Sequence, residues 1–155
     1  MRMTNTTLLM AAEIGDDEMV RTLIIDGMDI HVTDDIGRTP LILSVQNGHE
    51  DVVQTLVDAG VDIHVTDDIG RTPLILGAQN GHDEVVQTLI DAGVDIHATD
   101  DIGRTPLILS AQNGHDEVVQ KLITGGADVG KAMNNVTPLI AAVYNGHTNV
   151  VQMLL

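Results

Sequence analysis

Residues 29–43, DIHVTDDIGRTPLIL, decide the fold of this chain because the same stretch occurs three times. It returns unchanged at residues 62–76, and again at residues 95–109 with one difference, Ala98 in place of a valine. Successive copies are 33 residues apart. A fixed period of this length is the signature of a protein built from stacked structural repeats.

Two weaker copies flank the three strong ones. The first keeps Thr6, Gly15 and Gly27 in phase, and the last, closer by one residue, carries Thr137-Pro138 and Gly146-His147. We therefore expect a single domain over residues 1–155, with five repeats at approximately 1–33, 34–66, 67–99, 100–132 and 133–155.

The capping and turn residues of each repeat predict two helices and a turn. Thr39 supplies a capping hydroxyl and is followed by proline, which suits the first helical position, so a helix should run to Gln46 and end at Asn47-Gly48. A second helix should run from about residue 50 to 58, and residues 61–71 should form a tight, hairpin-like turn. One such unit cannot bury its apolar face, but stacked neighbours can.

These residues resemble the ankyrin repeat over nearly the whole chain. The shared pattern is D-x-x-G-x-T-P-L, then G-H-x-x-V-V-x-x-L, and it matches in three consecutive units. The resemblance implies an all-α ankyrin-repeat solenoid of stacked helix-turn-helix units with projecting β-hairpin-like fingers. It also implies binding of other proteins on the concave side, through fingertips and first helices.

The chain departs from the family pattern in two ways. Four isoleucines replace the histidine that the family usually has two residues after the proline, so we expect a polar network to be lost and packing to be gained; they are Ile42, Ile75, Ile108 and Ile140. In the last unit Asn135 stands where the turn glycine belongs, which asparagine tolerates because it adopts positive φ more readily than most residues. The last finger should therefore differ in shape.

Composition excludes several functions. The net charge of -16 repels nucleic acid and anionic membranes, and the absence of cysteine excludes disulfides and thiolate metal sites. No apolar run is long enough to span a bilayer, and the first residues lack the layout of a signal peptide, so we expect an intracellular protein. The acidity either serves solubility or attracts a basic protein partner.

The chain has seven histidines, which could in principle bind a metal ion, but the spacing between stacked repeats argues against this. His49, His82, His115 and His147 recur once per repeat, as do His31, His64 and His97. Packed helix layers lie about 8 to 10 Å apart, too far for equivalent imidazoles to share one ion. We expect no metal, and histidines that hydrogen-bond loop backbone instead.

No catalytic constellation and no cofactor motif is present, so we expect no enzyme activity and no cofactor. Adjacent aspartates occur on each predicted turn, whereas acid–base catalysis needs carboxylates that converge in a dry pocket. Asp34, Asp67 and Asp100 match the finger aspartate of the family and should fix the turn.

The candidate partner-binding residues form rows that repeat from unit to unit, at the fingers and at the ends of the first helices. The rows are Asp35, Asp68 and Asp101; Ile36, Ile69 and Ile102; Arg38, Arg71 and Arg104; Gln46, Gln79 and Gln112; and Asn47, Asn80 and Asn113. One interpretation is recognition of a repetitive or extended protein partner, with isoleucines as anchors. The other is a structural or engineered consensus-like array without a specific ligand, associating only with itself.

The last unit favours weak self-association. Terminal repeats need a polar outer face, which the first unit partly provides with Glu13, Asp16 and Arg21. The last one instead ends in Val150, Val151 and 153–155, which are apolar. Either further chain follows in the natural protein, or this end packs on another copy.

Overall fold

The computed structural model describes residues 4–155, in which ten helices form five antiparallel pairs. The first helices of the pairs are α1 (Asn5–Ile14), α3 (Pro40–Gln46), α5 (Pro73–Asn80), α7 (Pro106–Asn113) and α9 (Pro138–Tyr144). The second helices are α2 (Asp17–Ile25), α4 (Glu50–Asp58), α6 (Asp83–Asp91), α8 (Asp116–Thr124) and α10 (Thr148–Leu154). First helices pack on first helices of neighbouring repeats and second helices on second helices, which makes a solenoid.

Threonine caps start four of the first helices as predicted. The hydroxyl oxygen of Thr39 accepts a hydrogen bond from the backbone N–H of Ile42 at 3.2 Å, and the same bond recurs in the three following repeats. Proline occupies the first helical position each time. The predicted helices at 40–46 and 50–58 are confirmed.

The first repeat differs, because its helix begins two residues before the position that the repeat period indicates. Thr4 is the N-cap, and its N–H donates to the Thr7 hydroxyl at 3.2 Å. Thr6, in phase with the capping threonines, therefore lies inside α1. The residue after Thr6 is Thr7 where the other repeats have proline, so nothing prevents the helix from extending upstream.

The core is a continuous row of leucine, isoleucine, valine and alanine between the helix layers. Ile42, Ile75 and Ile108 are at most 1 % exposed, so isoleucine at this position packs in the core. Ile140, in the same position of the last repeat, is 47 % exposed. This position therefore faces the following repeat in the stack.

The fingers are turns rather than strand pairs. In the first finger the Gly37 N–H donates to the Asp34 carbonyl and the Asp34 N–H donates to the Arg38 carbonyl. Between residues 4 and 155 the only β-type pairing is one isolated bridge in the last finger, where Asn134 and Asn135 adopt φ of 50° and 66°. The predicted difference in shape of that finger, and the positive φ at Asn135, are confirmed.

None of the helices between residues 4 and 155 combines the length and the apolar character that crossing a bilayer requires.

Candidate interaction surface

One aspartate holds each of the three equivalent fingers. The Asp34 carboxylate accepts hydrogen bonds from the N–H groups of Ile36 and Arg38, at 3.1 and 2.8 Å, and from Nε of Arg38 at 2.7 Å. Asp67 and Asp100 make the same three contacts in the next two fingers. The prediction that these aspartates fix the turn is confirmed.

The protonation of these carboxyls reflects the same contacts. Burial raises the pKa of the Asp34 and Asp100 carboxyls, but hydrogen bonds from the backbone and guanidinium of the arginine four residues later outweigh it. Both pKa values therefore lie below the ordinary value, and the finger turn is built around an ionised carboxylate.

The arginines predicted to contact a partner already have a partner within the chain. The side chains of Arg38, Arg71 and Arg104 are 23 to 30 % exposed, and each Nε lies 2.6 to 2.7 Å from the finger carboxylate. Within the described residues the neighbouring Asp35, Asp68 and Asp101 form no ion pair. The unneutralised charge along the finger row is thus negative.

Each finger also presents an apolar side chain next to this charge. Ile36, Ile69 and Ile102 are 58, 43 and 62 % exposed, although isoleucine is among the residues most often buried. Each backbone N–H is held by the finger aspartate, so the three side chains leave the stack from equivalent positions.

Residues at the ends of the first helices contribute less free surface than the sequence indicates. Nδ2 of Asn47 donates to the Leu43 carbonyl, and Nδ2 of Asn113 donates to the Gln79 carbonyl of the preceding repeat. Nη1 of Arg71 donates to Oε1 of Gln79 at 3.3 Å. Of these contacts, the one from Asn113 joins two repeats. The glutamine and asparagine rows, which also contain Gln46, Asn80 and Gln112, are therefore partly used within the protein.

Four of the seven histidines bond to backbone carbonyls, as predicted, but the acceptors lie in the last turn of the preceding first helix rather than in a loop. Nε2 of His49 lies 2.8 Å from the Glu13 carbonyl of the preceding repeat, and His82, His115 and His147 make the same contact at 2.9 to 3.1 Å. Each ring packs over the glycine that ends the preceding first helix. A group of three or more histidine, aspartate or glutamate side chains able to hold a metal ion is not found in the part of the chain that the structure describes.

A second polar row along the second helices was missed by the sequence analysis. Thr55 donates to the carboxylate of Asp17 in the preceding repeat, and Lys121 donates to that of Asp83 at 2.8 Å. The hydrogen bond from Lys121 lowers the pKa of Asp83 more than burial raises it. No signal in the sequence points to these contacts, because the partners lie 38 residues apart and share no local motif.

A family model described as ankyrin repeats (3 copies) matches residues 8–100 of the chain and, in a second match, residues 92–155. A search of curated proteins found no match to the chain.

Proposed function

Because this chain belongs to the ankyrin-repeat family, whose members generally act as protein–protein interaction modules, we propose that it binds a protein partner and catalyses no reaction. The contact surface consists of the finger row, formed by Asp35, Ile36 and Arg38 and their equivalents, together with the ends of the first helices. The observation that carries this proposal is the row of three exposed isoleucines, each fixed by an identical turn.

The charge of the surface favours a basic partner. The finger arginines are neutralised by the finger aspartates, whereas Asp35, Asp68 and Asp101 are exposed and unpaired within residues 4–155. A partner with lysine or arginine next to apolar residues would complement this row. Its affinity should fall as the ionic strength rises, because salt screens contacts between exposed charges.

The proposal is tested with peptides selected from a display library on the full chain. The test variant replaces Ile36, Ile69 and Ile102 by serine. The control replaces two exposed apolar residues outside the finger turns by serine, namely Ile25 and Leu155. We expect the first variant to lose the selected peptides and the control to keep them; equal binding by both variants would refute the finger row as the contact surface.

A second candidate is self-association through the last repeat, which a specific observation favours. Residues 132–155 contain no aspartate, glutamate, lysine or arginine, in a chain of net charge -16. Ile140, Val143 and Tyr144 are 47, 59 and 89 % exposed. Two such ends can meet without bringing acidic groups together, and a two-fold contact closes as a dimer.

Sedimentation of the full chain over a range of concentrations tests this candidate. We expect a monomer–dimer equilibrium that is lost in the variant with Ile140 and Val143 both replaced by glutamine. A monomer at every concentration would refute the candidate. Dimers together with no selectable peptide would favour the alternative of an array that associates only with itself.

A further inference from the structure

A groove in the first repeat is lined by Asn5 and Glu13, where the next three repeats have arginine and glutamine. It has a volume of about 280 Å³ and lies between α1 and the first finger. Leu9, Met10 and Leu43 form its apolar part, and Glu13 and Asp35 contribute carboxylates. Met10 is 58 % exposed, whereas Leu9 and Leu43 are 9 and 2 % exposed.

In the third repeat, the chain's own arginine reaches the equivalent position. Nη1 of Arg71 donates to Oε1 of Gln79, at the end of the first helix, while its Nε stays paired with the finger aspartate. The residues 66 positions earlier are Asn5 and Glu13, and both line the groove of the first repeat. The first repeat thus lacks the arginine and has a carboxylate in place of the amide.

We propose that this groove receives an arginine or lysine side chain of the protein partner. The inference rests on the proposed function, since it names the chemistry of one contact of that partner. The aliphatic part of the basic side chain lies on Met10 and Leu9, and its charged head reaches the carboxylates of Glu13 and Asp35. Long basic side chains bury their stems on apolar surface in this way while the head stays hydrated or paired.

Charge supports this occupant over a neutral or acidic one. Between residues 4 and 155, neither Glu13 nor Asp35 forms an ion pair, whereas Asp34 at the same groove is paired with Arg38. Arginine suits the position better than lysine, because a guanidinium can donate to two carboxylates at once.

The test is a titration of the isotope-labelled full chain with the peptide acetyl-Leu-Arg-Leu-amide, followed by NMR at the Met10 methyl and the Glu13 amide. A second peptide with lysine in place of arginine shows which basic side chain binds more tightly. A third peptide with citrulline, which keeps the shape of arginine but has no charge, is the matched control. We expect saturable shifts at the groove for the arginine peptide, and binding of the citrulline peptide about tenfold weaker or less.

Matched variants separate the groove from the general acidity of the surface. Glu13→Gln and Glu117→Gln each remove one negative charge, and Glu117 is exposed on α8, outside the groove. We expect about a tenfold loss of affinity for the first and a change within about twofold for the second. Asn5→Arg supplies the arginine that the third repeat has and should block the probe without removing an acid.

Three results would overturn the proposal. They are shifts spread over the whole acidic surface with no saturation at the groove, equal affinities of the two glutamine variants, and about a tenfold gain of affinity in Arg2→Gln, which would make the chain's own arginine the occupant. The probe needs no partner protein. Its failure in a chain that still binds display-selected peptides through the finger isoleucines refutes the groove and leaves the proposed function standing.

Discussion

The contact between each repeated histidine and the preceding glycine predicts that two similar glycine substitutions have different costs. Gly60 and Gly81 both follow a helix and adopt φ of +83° and +75°. A Cβ added at Gly60 meets no atom within 4 Å, whereas one added at Gly81 lies 2.6 Å from Nδ1 of His115. Gly60→Ala therefore measures the backbone cost alone, and Gly81→Ala adds displacement of the histidine.

The expected magnitudes follow from these two contributions. Alanine in the left-handed conformation destabilises the folded state by about 1 to 2 kcal/mol. Alanine also lowers the conformational entropy of the unfolded chain, which stabilises the folded state by about 0.4 to 1 kcal/mol. Gly60→Ala should thus lower the free energy of unfolding by about 1 kcal/mol. Gly81→Ala should also break the 2.9 Å bond from His115 Nε2 to the Gln79 carbonyl, worth about 1 kcal/mol, and disturb the packing of the ring.

Urea unfolding of the two variants, followed by circular dichroism, measures the difference. The same glycine substitutions are then made in a His115→Ala background. We expect Gly81→Ala to cost at least about 1 kcal/mol more than Gly60→Ala in the native background, and this excess to disappear without the ring. Equal costs in the native background, or an excess that persists in the His115→Ala background, would refute the reasoning.

Three further predictions concern the finger turn, the repeat interface and the row of contacts between second helices. Asp100→Ala should lower the free energy of unfolding by about 3 kcal/mol, because it removes a buried carboxylate and leaves the Arg104 guanidinium unpaired. Asp101→Ala should change the free energy of unfolding by no more than about 0.5 kcal/mol, and urea denaturation compares the two variants. Ile75→Ala should cost about 2 to 5 kcal/mol and Ile140→Ala well under half of that, since only the first side chain is covered by a following repeat; melting temperatures that fall equally would contradict this. Asp83→Asn should destabilise the chain at neutral pH by at most about 1 kcal/mol because solvent screens the pair. The lowered pKa means that this difference is present above the unfolded carboxyl pKa of about 3.9 and is lost as the pH falls through the folded value, which unfolding curves of both proteins at several pH values would test.

Much of the fold could be predicted from local sequence signals. Thr39-Pro40 indicates a helix start because the hydroxyl and the proline act within one turn, and Asn47-Gly48 indicates its end for the same reason. The first helix shows where such reasoning is insufficient. Thr6 keeps the period, but the cap is Thr4, because no proline follows Thr6 to set the start.

The candidate surface was predictable by position but not by chemistry. The finger residues lie in a row as the period requires, and Ile36, Ile69 and Ile102 are exposed. The arginines of the same row looked equally available in the sequence, yet each is paired with the aspartate four residues earlier. A turn of this length can direct that arginine to the aspartate or to solvent, and only the folded geometry distinguishes the two.

The amino-acid order alone therefore determined the period, the helices that follow a Thr-Pro cap and the positions that stack, because caps and turn residues act over short distances along the chain. Contacts across repeats were decided by the tertiary structure, as Thr55 with Asp17 and the groove beside Glu13 illustrate. Such contacts join residues more than 20 positions apart, and whether two side chains meet there depends on how the layers are packed, a property that no single repeat contains.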